Sequence, residues 1–497
     1  LAFRSVRQYT HENAQASRHY DVVKNGIKTC MYPGYPELFM QTNCPNEFHF
    51  QPDWYRGIEY PKEQERGYDF NEDLYVPGYF EIEITKDQPV VFSGGISEIE
   101  TANLDQLFSE EADRRTPRDN FKHCLINAAH QFLNKQGDES YVLAGYPWFK
   151  CRARDMFISL PGLMLAVNEV DKFEMVMNTA SKAIYEFMKG EPATLKVYEM
   201  EHPDVLLWAV WTIQQYAKMV SRDAARSKYG TLLKDIMAYL SEGKHPNLKV
   251  CDNGLVYAQG RDKAITWMNA TSNGRPVTPR TGYIVEFNTL WYNALMFVGE
   301  LLGEGGDTEF AGTLTQLAEK ASKAFVDTFL NEYGYLLDYV DGDMMDWSVR
   351  PNMIFAAAFD YSPLNAKQKK GVVDIVTKEL LTPKGLRSLS PKSGGYNPNY
   401  VGPQVQRDYA YHQGTAWPWL EGFYLEAYLR IYKRSAISFV ERQMISFEDE
   451  LSLHCVGSIP ELFDGNPPFR GRGAISFAMN VAQILRTLNL LEKYDNQ

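Results

Sequence analysis

The sequence predicts a mainly α protein, an (α/α)6 toroid of twelve helices preceded by an incomplete β-sandwich domain, with the division between residues 1–97 and 98–497. Three observations predict it. From about residue 101 apolar residues recur at three- and four-residue steps, which puts them on one face of a helix. The connections between these helices alternate long and short. Before residue 97 the period is two instead, the mark of half-buried antiparallel strands.

In chain order, residues 1–97 are rich in Tyr, Phe and Pro. Phe80, Ile82 and Ile84 alternate with Glu81 and Glu83, and Val90-Val91-Phe92 precedes Ser93-Gly94-Gly95. These runs are too few for a whole sandwich. The helical period then marks segments 121–134, 156–168, 171–189, 203–220, 224–241 and 286–303, followed by 308–330, 350–360, 364–380, 415–433, 436–451 and 473–493. Long connections run from about 13 to 44 residues and short ones from about 2 to 4, against a usual 2 to 8 between packed helices. In a ring of antiparallel helices every second connection falls at the same end, so all the long loops share one face.

Those loops carry the polar and aromatic residues. The first holds Trp148, Arg154 and Asp155, in a segment whose aromatic faces, cation and carboxylate suit a sugar ring. The next bring Asp204, then Trp267, Asn269, Arg280 and Glu286, then Arg350 and Asn352. The fifth brings Tyr411, His412, Trp417 and Trp419, and the sixth Glu461. Neither G-x-x-x-x-G-K-[ST], nor a strand followed by G-x-G-x-x-G, nor G-x-S-x-G occurs, so phosphate cradling and a serine nucleophile lack their motifs. Glycoside cleavage needs two carboxyl groups on opposite sides of a sugar, lined with aromatics, and this matches.

The formal net charge of −12, without a basic block, excludes a nucleic-acid or anionic-membrane partner. Six Cys lie at scattered positions with no C-x-x-C pair, so no structural zinc and no other metal site is expected. No run of about 18 apolar residues is present to span a membrane, and no signal peptide is visible. A cytoplasmic protein is the expectation.

The motifs AGYPWF (144–149), RDMFISLPGL (154–163), TWMNA (266–270), VTPRTGYIVEFNTLWYNAL (277–295), RPN (350–352), GLRSLSP (385–391), RDYAYHQGTAWPWL (407–420) and IPELFDGNPP (459–468) together resemble the amylo-α-1,6-glucosidase domain of glycogen debranching enzymes. Residues 1–97 are similar to the tail of the β domain that precedes it in bacterial members. The resemblance implies hydrolysis of α-1,6-linked glucosyl stubs on an α-glucan, with inversion and no cofactor. It makes Glu461 the general base, Arg154 and Asp155 the hydroxyl clamp, and Trp148, Trp267, Trp417 and Trp419 stacking walls. Tyr411 belongs to the same substrate-binding set, and His412 is expected to be a hydrogen-bonded orienting residue. Asp204, Arg280 and Glu286 are expected to bind sugar or brace the residues that do. Asn269 stands where the family has the Asp that serves as general acid. Ala153, Arg152, Tyr283, Phe477 and Met479 stand where Gly, Trp, Lys, Gln and Trp are usual. Three readings of Asn269 remain open: a weakly active glucan-binding relative, a deliberately disabled variant, or an acid supplied by Asp155 or Asp262.

Overall fold

Twelve helices, six inside six, dominate the computed structural model, which describes residues 1–5 and 8–495. In order they are α1 (Phe121–Phe132), α2 (Ala153–Leu163), α3 (Val170–Lys189), α4 (Val205–Met219), α5 (Arg222–Ser241), α6 (Val285–Glu304), α7 (Thr308–Phe329), α8 (Ile354–Ala358), α9 (Ala366–Glu379), α10 (Pro418–Tyr432), α11 (Ile437–Ile445) and α12 (Ala478–Asp495). The even-numbered helices touch in sequence and α12 returns to α2, which closes the inner ring of an (α/α)6 toroid. Odd-numbered helices back onto it: α1 on α12, α5 on α4 and α6, α9 on α8 and α10, and α3 on α4 through stacked Phe173 and Tyr216.

The two rings differ as their surroundings demand. Every residue of α2 is buried, as is every residue of α4 from Val205 to Ala217, because an inner helix has neighbours on all sides. An outer helix buries one stripe, which in α3 is Phe173, Val176, Met177, Ala180 and Ile184. Three of the outer helices carry side-chain caps that satisfy a first backbone donor: Asn120 on α1, Ser221 on α5, and an Asn365–Gln368 capping box on α9. The residues that precede α2, α4, α6 and α10 make no such cap, and in α10 the Trp419 N–H donates instead to Asn480 Oδ1 at 3.0 Å.

Some boundaries differ from expectation. The helix expected at 350–360 is a 3-10 turn, Pro351–Met353, leading into the short α8. The one expected from 415 starts at Pro418, because Ala416–Trp417 is a strand of a five-stranded sheet. The one expected at 436–451 is broken into α11 and Glu450–Leu453.

The chain divides into two units, Leu1–Pro117 with Val401–Gln404, and Arg118–Tyr400 with Val405–Gln497. This places the division at 117/118 and not near 97, since the helix Leu104–Arg114 groups with the strands before it. The first unit contains a four-stranded antiparallel sheet (Tyr20–Val23, Gly26–Thr29, Leu38–Thr42, Phe92–Gly95) and a two-stranded ribbon (Glu47–Glu59 with Asn71–Glu81). Its small core is Ala16, Met31, Trp54 and Tyr75. The alternation at Phe80, Ile82 and Ile84 overstates its strand: pairing ends at Glu81, and Ile84 is exposed.

Candidate active site

One pocket in the second unit collects residues from every long loop but the fourth. It is lined by Arg152, Arg154 and Asp155 at the start of α2, by Glu199 before α4, and by Trp267 and Asn269 before α6. Tyr411, His412 and Trp417 precede α10, and Glu461, Phe477 and Met479 complete it around the start of α12. The N-termini of α2, α10 and α12 thus open onto the site, and their positive dipole ends favour its acidic residues. The free volume is about 20 Å³, room for about one water molecule. Arg152 and Glu199, 3.4 Å apart and partly exposed, are the pair most open to solvent.

Glu461 is buried and held from three sides. Its carboxylate accepts the Tyr411 hydroxyl and, at 2.8 Å, the Ala474 N–H. Its backbone N–H donates to Ala474 O at 2.9 Å, and its carbonyl accepts from the Asn480 amide at 2.8 Å. Gly473 makes this turn with φ +72°, and a Cβ there would lie 2.3 Å from Glu461 Oε2. Only glycine fits, on both counts. Asn269 and Asp155 differ from it in having no protein hydrogen-bond partner among the described residues, so both side chains are available to a ligand. Burial pushes the Asp155 carboxyl up to about 6, against the pull of Arg152 and Arg154.

Aromatic rings form the wall. Trp267 meets His412, Trp417 and Trp419 edge-on at 5.1, 5.3 and 5.3 Å, and His412 stacks on Trp417 at 5.4 Å. A buried relay fixes Trp267. Its indole N–H donates to Asn352 Oδ1 at 2.7 Å, and Asn352 Nδ2 donates to Asp338 Oδ1 at 2.7 Å. Asp338 accepts from Arg280 Nε at 2.6 Å, and the same guanidinium binds both oxygens of Glu286. With every member buried and partnered, the relay holds the indole plane rigid.

Residues 127–486 match the family described as amylo-alpha-1,6-glucosidase. The chain belongs to that family. Residues 1–91 match a second family, the N-terminal region of glycogen debranching enzyme. A relative from Saccharomyces cerevisiae, a glycogen debranching enzyme, is 28% identical over 219 residues, 35% of this chain and 14% of that protein. The match thus spans a small part of that relative's length. Among solved structures, a bacterial glucoamylase bound to acarbose superposes with a TM-score of 0.56 at 13% identity, covering 95% of this chain and 73% of that one. A GH63 mannosylglycerate hydrolase from Thermus thermophilus gives 0.51 at 12% identity, covering 74% and 99%. These two share the fold.

Within this amylo-alpha-1,6-glucosidase-family domain, the pocket unites Glu461, Asn269, Arg154, Asp155, Trp267, Tyr411, His412 and Trp417. Five expected residues lie outside its lining. Trp148 packs edge-on against Phe149 at 6.2 Å. Trp419 is wholly buried core, facing Phe355 and Phe423. Asp204 binds Arg154 through two bonds of 2.8 Å and accepts the Trp208 indole, so it braces the arginine. Arg280 and Glu286 brace Trp267 through the relay above. His412 departs from the orienting hydrogen bond expected of it: neither ring nitrogen has a partner, and burial holds its pKa well below the usual range, so the ring is neutral. Asp262 is exposed and outside the lining. Sequence reasoning missed Glu199 and Asp338. Glu199 adopts φ +65°, a conformation rare for a non-glycine residue and carrying no sequence signal. No metal-holding cluster of His, Cys, Asp or Glu occurs among the described residues, and none of their helices is long and apolar enough to cross a membrane.

Proposed function

We propose that this domain is a debranching-type glycoside hydrolase acting on α-1,6-linked glucosyl stubs of a cytoplasmic α-glucan, by inversion, with its proton-donating step impaired. The observation that carries the reading is the opening of Glu461 and Asn269 onto one aromatic-walled pocket. Glu461 is the general base. Its carboxylate, steadied by Tyr411 and the Ala474 N–H, takes a proton from the attacking water, and the new C–O bond forms opposite the departing oxygen. Trp267 and Trp417 supply faces for the sugar, and Asp155 and Arg154 bind its hydroxyls. Position 269 faces the leaving oxygen. A carboxamide donates a hydrogen bond there but yields no proton near neutral pH, and loss of a positioned general acid costs about 10²–10⁴ in rate. The Asn269 side chain also supports a second reading, an α-glucan-binding relative that has lost hydrolysis.

Glucose release from a phosphorylase limit dextrin by the Asn269→Asp protein decides between them. The hydrolase reading expects a rise of about two orders of magnitude or more. Equal, near-zero rates in both forms, with dextrin binding intact, favour the binding protein.

A further inference from the structure

Among the described residues three carboxyl side chains line the pocket, Glu461, Asp155 and Glu199, and only the first two have a part in the reaction described above. Glu461 and Asp155 are sunk into it, 2% and 7% exposed, whereas the Glu199 side chain is 30% exposed. The rest of a branched glucan is a polymer and stays outside, so the oxygen joining it to the bound glucose points to the solvent side. Glu199 is the carboxyl on that side. The backbone fixes it there. Tyr198 N–H donates to Cys151 O at 3.0 Å and Ala153 N–H to Tyr198 O at 2.9 Å, which joins this segment to the start of α2. Directly after that bridge Glu199 takes φ +65°, a conformation that a non-glycine residue keeps only where its surroundings impose it, commonly at functional sites.

Further bonds tie this segment to the loop that carries Asn269. Asn247 Nδ2 donates to Glu201 O at 2.9 Å, and Arg154 Nη2 donates to both His202 Nδ1 and Ile265 O at 3.2 Å. The helices that follow, α4 and α6, are neighbours in the inner ring. Glu199 and Asn269 therefore reach the pocket from adjoining loops, while Glu461 comes from the loop before α12. The Glu199 carboxyl makes no hydrogen bond among the described residues; Arg152 Nε lies 3.4 Å from it and His202 Nδ1 4.0 Å. Arg154 and Asp155 are the other charged groups close enough to interact with it. A carboxyl that gives up its proton here leaves a carboxylate beside the Arg152 guanidinium, which stabilises it. A carboxyl beside a cation is also seldom protonated near neutral pH, so such a donor works slowly, in keeping with an impaired step.

We propose that Glu199 protonates the leaving oxygen, the task for which position 269 offers only a carboxamide. The Glu199 O–H passes its proton to the glycosidic oxygen as the bond from C1 to that oxygen breaks, and Asn269 donates a hydrogen bond to the same oxygen. Glu461 takes a proton from the water that attacks C1. Glucose and a free hydroxyl on the glucan result, and the proton on Glu461 returns to Glu199 through solvent. This role deepens the function proposed above and rests on it.

The test compares the wild type, Glu199→Gln, Asn269→Asp and Asn269→Asp/Glu199→Gln on limit dextrin and on α-glucosyl fluoride, whose fluoride departs with little need of an acid. Gln keeps the shape of a side chain that is partly exposed and makes no hydrogen bond, so folding is preserved. Glu199→Gln should lower the wild-type rate on dextrin at least about tenfold more than the rate on the fluoride, the scale of a lost general acid. In the Asn269→Asp background the loss on dextrin should shrink, because the carboxyl introduced there supplies the proton. Equal losses on the two substrates, or a loss on dextrin undiminished in that background, overturn the proposal and make Glu199 a binding residue. No loss on either substrate overturns it outright. Wild-type protein inert on dextrin overturns it too: if the fluoride is still hydrolysed, or Asn269→Asp is active, the hydrolase reading survives alone, and if every form is inert on both substrates that reading falls as well.

Discussion

At the residue scale the proposed chemistry can be tested at Gly473, which carries no side chain, and at Asp155. Gly473→Ala puts a methyl where the Glu461 carboxylate lies, so glucose release by the Asn269→Asp background should fall at least about tenfold, a loss of about 1.4 kcal/mol in transition-state stabilisation. Crystallography of that variant checks the displacement directly. Asp155 offers a test through pH. Its carboxyl titrates near 6 in the fold and near the ordinary 3.8 when unfolded. Between those values the folded state holds the extra proton, so this group's contribution to stability declines as pH rises from about 4 to 6. Thermal melts of wild type and Asp155→Asn across that window should diverge, with the variant gaining relative stability as pH rises. Parallel curves would show that the site leaves this carboxyl unperturbed.

At the element scale, two inner helices begin with residues that line the pocket and do not cap the helix. Where α1, α5 and α9 place Asn or Ser, α2 and α10 place Arg152 and Trp417, and both line the site. Asp204 at the start of α4 accepts from the Arg154 and Trp208 side chains and not from the backbone N–H groups of its helix. Asn365→Ala should cost about 1 kcal/mol in denaturant unfolding and leave ligand binding alone. Asp338→Ala should cost about 3–5 kcal/mol, because it strips a buried partner from Arg280. It should also weaken sugar binding, since Asn352 and Trp267 lose their anchor; unchanged tryptophan fluorescence on dextrin addition would argue against the relay. The elements themselves were legible from periodicity and loop length because burial of one face writes the 3.6 repeat into the chain. The partnerships were not. Arg154 adjoins Asp155 in sequence yet pairs with Asp204, and Arg280 pairs with Asp338 as well as Glu286. Such choices are made by the packing of distant loops, which leaves no spacing to read. A Trp in a long loop likewise gives no sign of whether it faces the pocket, as Trp417 does, or the core, as Trp419 does.

At the scale of the whole molecule, the toroid depends on joining its first inner helix to its last. Gly162 of α2 lies against α12 so closely that a Cβ would fall 1.9 Å from Ala482 O. Gly162→Ala must push the two helices apart, and a loss of about 1–3 kcal/mol in urea unfolding is expected. Closure sets the register of every loop around the mouth, so the central claim is that the ring brings Glu461 and position 269 to bear on one sugar. The initial rate of glucose release from limit dextrin, compared among the wild type, Asn269→Asp and Asn269→Asp/Glu461→Gln, tests this most directly. The account predicts a large gain in the single variant that the second substitution abolishes. A single variant no faster than wild type, or a gain that survives without Glu461, would contradict it.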